Sequence, residues 1–155
     1  SYTGLRIGAA TAKGLCYALS IPLIAVDALT SLCEIARTKH PEKNLCALID
    51  ARRMEVFSLI QNEKGETVKN ISADILDEES YDEFVPFVYF GDGAAKLDEL
   101  WGNRELEADL SIKSSASGQV RLAFEKFRNQ EFEDVAYWEP FYLKDFVVQA
   151  PKARK

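Results

Sequence analysis

The chain has 155 residues, of which 47% are apolar and 28% charged, and its formal net charge is −6. This is the composition of an ordinary globular protein, and the negative charge argues against nucleic-acid binding by this chain alone, because phosphate contacts need clustered lysines and arginines. No apolar run approaches the roughly 20 residues that a membrane-spanning helix needs, and three widely spaced cysteines predict free buried thiols in a reducing, cytoplasmic compartment.

The start of the chain predicts a helix followed by a short buried strand at residues 22–26. Thr3 is the candidate N-cap, since its hydroxyl can accept an unpaired N–H of the first turn. Apolar residues recur at spacings of three and four, which is typical of one apolar helical face. This face comprises Leu5, Ala9, Ala12, Cys16 and Leu19.

Small residues four positions apart form other rows on the same helix: Ala10, Gly14 and Ala18 in one row, Gly4 and Gly8 in the other. A glycine inside a helix costs about 1 kcal/mol relative to alanine, so such rows indicate a packing demand. Two explanations stand side by side: the rows pack inside this domain, or the helix is held by its own sheet on one side and by a second protein on the other. The candidate partner-contact residues are Arg6, Ala10, Lys13, Gly14, Tyr17 and Ala18.

A second helix is predicted over residues 28–39, with Asp27 as its N-cap. It ends at His40, because the residue before Pro41 avoids helical backbone, and a capping role is expected for this histidine. Its apolar face comprises Leu29, Leu32, Cys33 and Ala36.

A polar linker at residues 41–44 precedes three predicted strands, at residues 45–50, 54–61 and 67–73. Short turns between the strands favour an antiparallel meander. The acidic stretch at residues 74–83 predicts a solvated helix or loop.

Strands and helices alternate over the remaining residues, which indicates α/β architecture. The predicted elements are a strand at 87–90, a helix at 94–101, a strand at 106–112, a helix at 115–129 and an extended piece at 137–143. The apolar residues of the last helix are Val120, Leu122, Ala123 and Phe127, and a basic, disordered tail is expected at the end.

Two short motifs are candidates for a binding role. The sequence Gly-Asp-Gly-Ala at residues 91–94 joins a strand to a helix and could present N–H groups to a phosphate, but a glycine pair in a tight turn explains it better. Charged residues Asp50, Arg52, Arg53 and Glu55 surround a turn between two strands. They could pair with one another across the hairpin, or form a polar surface toward a cleft or a partner.

The sequence contains few residues that could bind a metal ion or act as a catalytic nucleophile. His40 is the single histidine, no two cysteines have C-x-x-C spacing, and there is no G-x-x-x-x-G-K-[ST] loop or G-x-S-x-G elbow. We therefore expect no metal, no cofactor and no catalytic residue in this chain.

Several motifs carry a family resemblance. SYTGLRIGAATAKGL at residues 1–15 resembles the tail of the GPGS-[FY]-TGLRIG signature of the TsaB (YeaZ) proteins. DARRMEVF at residues 50–57 is similar to the family's DARR-x-EV-[YF] hairpin, and the GDGA turn matches as well. PFYLK at residues 140–144 resembles the terminal P-x-YLR, with Lys144 in place of arginine.

The resemblance implies the ribonuclease-H-like fold of the actin, sugar-kinase and heat-shock-ATPase superfamily, with two lobes. It implies that the chain begins inside the first signature, so that the first lobe is incomplete. On this basis residues 1–40 are the remainder of the first lobe with its dimerisation face, residues 41–147 are the second lobe, and residues 148–155 are the tail.

The resemblance also implies a function. Members of the family are non-catalytic partners of the TsaD carbamoyltransferase, which transfers a threonylcarbamoyl group to tRNA, and a small ATPase, TsaE, joins the pair. We expect a cytoplasmic subunit that forms a homodimer in isolation, meets tRNA only through the complex and has no membrane contact. The alternative is an enzyme: a nucleotide-binding ATPase or phosphotransferase of the same superfamily, suggested by the fold and the GDGA turn.

Overall fold

The computed structural model describes residues 2–104 and 106–143. The helices are α1 (Tyr2–Leu19), α2 (Ala28–Lys39), α3 (Asp98–Trp101) and α4 (Val120–Arg128). The strands are β1 (Asn44–Asp50), β2 (Glu55–Gln61), β3 (Thr67–Ile75), β4 (Phe87–Phe90) and β5 (Glu107–Asp109). Ser1 of the first motif, Lys144 and the predicted tail lie outside the described residues.

The five strands form one mixed sheet in the order β3-β2-β1-β4-β5. β1, β2 and β3 are antiparallel neighbours, which confirms the predicted meander. β4 then returns parallel to β1, with Leu45 opposite Val88, and β5 is parallel to β4. A parallel return needs a crossover connection rather than a hairpin, and residues 76–86 with their short 3-10 turn, Asp82–Phe84, supply it.

Each face of the sheet buries its own apolar cluster, because successive side chains of a strand point to opposite sides. On one face α2 packs against the sheet, with a core of Leu29, Leu32, Cys33, Ala36, Leu45, Ala47, Leu59, Val88, Phe90 and Ile112. The opposite core comprises Cys46, Leu48, Val56, Ile60, Leu76, Phe87, Tyr89, Ala94, Leu97 and Trp101. All three cysteines are free and buried, as predicted.

Helix α2 follows its sequence closely. Thr30 N–H donates to Asp27 Oδ1 at 2.7 Å, so Asp27 is the predicted N-cap. At the other end His40 N–H donates to the Ala36 carbonyl, which confirms the capping role of His40. The four residues of the predicted apolar face are all buried.

The predictions around α1 need correction. Thr3 lies inside the helix, which begins at Tyr2, so it is not the N-cap. The strand expected at residues 22–26 is reduced to one isolated bridge between Leu23 and Glu133. A strand needs a paired neighbour along its length, and in the described chain Leu23 has only the N–H of Glu133, 2.8 Å from its carbonyl oxygen.

The elements after β4 are shorter than predicted. The helix expected at residues 94–101 begins with a 3-10 turn, Ala94–Leu97, and the strand expected at 106–112 is only β5. The helix expected at 115–129 is a 3-10 turn, Ala116–Gln119, followed by α4. Residues 135–137 form a turn, so the piece at 137–143 does not begin as extended chain.

The apolar side chains of α4 are partly or largely exposed. Val120 and Phe127 are 68% and 52% exposed, and α4 has no buried residue. An ion pair joins this helix to α2. The Nε and Nη2 groups of Arg121 donate hydrogen bonds to the two carboxylate oxygens of Glu34. The spacing of Val120 and Phe127 correctly predicts a helix, but it cannot say what covers that face.

One residue of the acidic stretch departs from the solvated prediction. Asp74 is half-buried at the end of β3, where its carboxylate accepts hydrogen bonds from Ser58, Lys69, Ser72 and Tyr81. Burial alone would raise the pKa of Asp74, but these hydrogen bonds outweigh it and lower the pKa to about 2. Asp74 is therefore an ionised anchor that joins β2, β3 and the crossover segment.

Candidate partner-binding surface

Helix α1 leaves most of its surface uncovered in the described part of the chain. Its one buried residue is Cys16. Large apolar side chains stand in solvent along its length: Leu5, Ile7, Leu15, Tyr17 and Leu19, each between 47% and 83% exposed. Two members of the apolar series, Leu5 and Leu19, are among these exposed residues. Several large apolar side chains exposed on one helix are a typical feature of interaction surfaces.

The inner side of α1 rests on residues 134–142. The Lys13 ammonium donates to the carbonyl oxygens of Ala136 and Trp138, at 3.1 Å and 2.8 Å. At the start of the helix, the rings of Tyr2 and Tyr142 lie 4.9 Å apart. These contacts fix one side of the helix and orient the opposite side outward.

The row of small residues lies on the outward side. Ala10, Gly14 and Ala18 are all exposed. A Cβ built on Gly14 meets no atom within 4 Å, and the same is true of Gly8. In the described residues, therefore, neither row packs inside the domain.

The predicted partner-contact residues do not all share one environment. Tyr17 is 83% exposed, and the guanidinium of Arg6 lies 5.5 Å from the centre of the Tyr2 ring. Lys13 is half-buried, and its ammonium is already bonded within the chain. Lys13, Gly14 and Tyr17 line an open depression of about 470 Å³ together with Asp134, Val135 and Ala136.

Two exposed residues of this surface were not among the predicted contacts. Ile7 is 63% exposed and stands three residues before Ala10 and seven before Gly14, so it shares their face. Leu15 is 56% exposed beside that face. The spacing of Ile7, Ala10 and Gly14 places them on one helical face and could have been recognised in the sequence. The predicted apolar face is instead the larger series through Cys16.

Two backbone N–H groups of the GDGA turn form hydrogen bonds within the chain. Gly91 has φ +100°, and a Cβ there would lie 2.2 Å from the Leu48 carbonyl oxygen. Gly93 N–H donates to that same oxygen, and Ala94 N–H donates to the Gly91 carbonyl. These two N–H groups are used for packing against the end of β1, which supports the tight-turn explanation over a phosphate cradle.

The charged hairpin is organised by a lysine that the sequence did not single out. Lys96 donates to Asp50 Oδ1 at 2.6 Å and to the carbonyl oxygens of Arg53 and Glu55 at 2.8 and 2.7 Å. The hydrogen bond from Lys96, followed by that from the Arg52 N–H, lowers the pKa of Asp50. Asp50 therefore pairs with Lys96 rather than with an arginine across the turn.

His40 has a structural setting. Its Nε2 lies 3.0 Å from Asp109 Oδ2 and its Nδ1 lies 3.7 Å from Glu107 Oε1, so the side chain joins the end of α2 to β5. Within residues 2–104 and 106–143, no group of three or more histidine, cysteine or carboxylate side chains is arranged to hold a metal ion. In the same part of the chain, no helix combines the length and apolarity that crossing a membrane requires.

The comparisons with known proteins agree with one another. A family model described as "TsaD: tRNA N6-adenosine threonylcarbamoyltransferase" matches residues 1–151. The tRNA threonylcarbamoyladenosine biosynthesis protein TsaB of Haemophilus influenzae is 42% identical over 65 residues, which are 41% of this chain and 28% of that protein. TsaB of Escherichia coli is 27% identical over 160 residues, with 95% of this chain and 68% of that protein covered.

Solved structures show the same fold. YeaZ from Pseudomonas aeruginosa superposes with a TM-score of 0.71 at 23% identity, over 92% of this chain and 69% of that one. A second Pseudomonas aeruginosa structure, described as similar to peptidase YEAZ, gives a TM-score of 0.72 over 93% of this chain. Together with the family match, these likenesses confirm the predicted ribonuclease-H-like α/β fold. The chain spans between 28% and 68% of the length of the curated relatives described above.

Proposed function

The chain belongs to the TsaB (YeaZ) proteins within the TsaD family, and from this premise we propose that it is a non-catalytic subunit in tRNA threonylcarbamoyladenosine biosynthesis. Its role is to bind and support a TsaD-like carbamoyltransferase. The observation that carries the proposal is the outward face of α1, where Ile7, Gly14 and Tyr17 are uncovered.

The composition of this face suits helix-to-helix contact. Helices pack with their axes 8–10 Å apart, and small side chains allow the closest approach. Ala10, Gly14 and Ala18 provide the small row, while Ile7 and Tyr17 flank it with larger side chains that can be buried on binding. A homodimer in isolation can use the same face, because a two-fold contact needs one self-complementary patch.

Support for a non-catalytic role comes from how the reactive side chains are used. His40 is bonded to carboxylates of β5, and the buried thiols of Cys33 and Cys46 have pKa values raised by burial, to about 12 for Cys33. A thiol held neutral is a poor nucleophile. A TsaE-like ATPase and tRNA are then partners of the assembly, and tRNA is reached through the complex because this chain carries a net charge of −6.

The alternative, a nucleotide-binding enzyme, has weaker support. It would use the GDGA turn, whose Gly93 and Ala94 N–H groups are bonded internally. A direct comparison separates the two functions: the purified chain is mixed with a TsaD-like protein and analysed by size-exclusion chromatography with light scattering, and in parallel its thermal unfolding is followed with magnesium ATP. We expect a stable complex and an unchanged midpoint. No complex, together with clear stabilisation by ATP, would favour the enzyme.

A further inference from the structure

The tip of the β1–β2 hairpin has an unusual backbone. Arg52 and Arg53 are adjacent, exposed and both in the left-handed region, with φ of 73° and 54°. For residues other than glycine this conformation costs roughly 1 kcal/mol each. Such residues persist where the surrounding structure holds them, and they concentrate at functional sites.

The surrounding structure does hold them. The Lys96 ammonium donates hydrogen bonds to the Asp50 carboxylate and to the carbonyl oxygens of Arg53 and Glu55. The Arg52 N–H donates to Asp50 Oδ1 at 2.6 Å. With Asp50 paired to Lys96, neither arginine forms an ion pair with another described residue. The hairpin therefore presents two neighbouring guanidinium groups on a fixed backbone.

Apolar side chains stand next to the arginines. Met54 is 42% exposed and Ile75, at the end of β3, is 79% exposed. They are brought together because Leu76 N–H donates to the Met54 carbonyl at 3.1 Å and Glu55 pairs with Ile75 in the sheet. Arginine and methionine are enriched at protein–protein interfaces, where arginine binds carboxylates with two parallel hydrogen bonds.

We propose that this surface, Arg52, Arg53, Met54 and Ile75, docks a protein partner that presents paired carboxylates beside an apolar side chain. A protein fits better than a nucleic acid, since the exposed apolar side chains of Met54 and Ile75 offer surface that a protein partner can bury. The surface uses different residues from the α1 face, so the proposal does not depend on the proposed function.

Met54 makes the proposal testable, because it is the chain's one methionine. Carbon-13 labelling of the methionine methyl group gives a single resonance at the proposed surface. The probe is a short synthetic peptide with two adjacent glutamates beside a leucine. The comparison ligands are the same peptide with lysines in place of the glutamates, and bulk tRNA.

We expect the acidic peptide to shift the Met54 resonance in a saturable way, and the lysine peptide and tRNA to leave it in place. The double variant Arg52→Gln/Arg53→Gln should weaken peptide binding about tenfold or more, with an unchanged circular dichroism spectrum. Replacement of both by lysine should weaken it partly, because lysine keeps the charge but loses the forked geometry. Arg128→Gln, at an exposed arginine of α4, is the matched control and should bind normally.

Three results would overturn the proposal. The first is the absence of any saturable shift with the acidic peptide. The second is a double glutamine variant that binds the peptide as well as the original chain. The third is a shift of the Met54 resonance at lower concentrations of tRNA than of peptide, which would assign the surface to phosphates instead.

Discussion

The ammonium group of Lys13 lies 2.8 Å from the carbonyl oxygen of Trp138, and this contact joins the first helix to the last described segment of the chain. Together with the bond to Ala136 and the Tyr2–Tyr142 ring contact, it fixes which side of α1 faces the rest of the described chain. The outward direction of Gly14 is thus a consequence of where Lys13 is tied.

Replacing Lys13 with alanine should loosen α1 without unfolding the sheet. Loss of the charge-assisted hydrogen bonds should cost about 1 kcal/mol locally, or roughly fivefold faster amide exchange within α1. Hydrogen exchange measured by mass spectrometry checks this, with Lys64→Ala in the exposed β2–β3 turn as the control. Equal exchange rates in α1 for both variants would show that Lys13 does not hold the helix.

Gly91 should be the least replaceable glycine among those the structure describes. A Cβ there would lie 2.2 Å from the Leu48 carbonyl oxygen, on a backbone with φ +100°. Gly91→Ala should lower the free energy of unfolding by about 3 kcal/mol, through overlap and backbone strain together. Gly65→Ala is the matched control, since Gly65 also has positive φ, +83°, but open space around it, and it should cost only about 1 kcal/mol. Equal losses in urea titrations would contradict the packing account.

Asp74 should make the chain sensitive to acid. Its pKa is lowered in the folded state from an ordinary 3.8 to about 2, so its contribution is complete above about pH 5 and is lost progressively as the pH falls toward 2. We expect this contribution to be at most about 2 kcal/mol, reduced by solvent screening. Urea unfolding between pH 2 and 6 should show a shallower acid dependence for Asp74→Asn. Asp109 should supply part of the remaining dependence, because hydrogen bonds from Ser111 and then His40 lower its pKa to about 2. An unchanged pH profile in Asp74→Asn would refute the role of the network.

Asp92 should matter for stability and not for turnover. Its Oδ1 accepts the Asp50 N–H at 3.0 Å and so joins the GDGA turn to the end of β1. Asp92→Ala should destabilise the chain by about 1 kcal/mol in urea unfolding, while ATP hydrolysis stays at the level of buffer in both proteins. ATP turnover that survives repeated purification and disappears in Asp92→Ala would make this turn catalytic.

The sequence predicted best those features that depend on neighbouring residues. Asp27 caps α2 because its carboxylate is three residues from Thr30, and the face from Leu29 to Ala36 is buried because one sheet covers it. The meander followed from short turns, and the tight GDGA turn from its glycine pair. These features need no knowledge of distant parts of the chain.

Features set by distant contacts were mispredicted or overlooked. Val120 and Phe127 have helical spacing, but the ion pair between α4 and α2 joins Arg121 to Glu34, 87 positions away in the sequence. From the sequence Lys13 resembles an exposed interface residue, but in the structure its ammonium group donates a hydrogen bond to the carbonyl oxygen of Trp138. Asp74 looked solvated because its acidic neighbours are, whereas Lys69 and Ser58 become its partners only when β2 and β3 pair.

The central claim, that the outward face of α1 binds a TsaD-like protein, is tested most directly by calorimetric titration of Gly14→Leu and Gly8→Leu with that protein. Both glycines are exposed and have open space at the Cβ, so neither substitution should disturb folding. Overpacking a fitted contact typically costs about 1–3 kcal/mol, so Gly14→Leu should weaken binding roughly 5- to 150-fold. Gly8→Leu, outside the row of Ala10, Gly14 and Ala18, should bind like the original chain. Normal binding by a folded Gly14→Leu, with or without loss in Gly8→Leu, would contradict the assignment of this face.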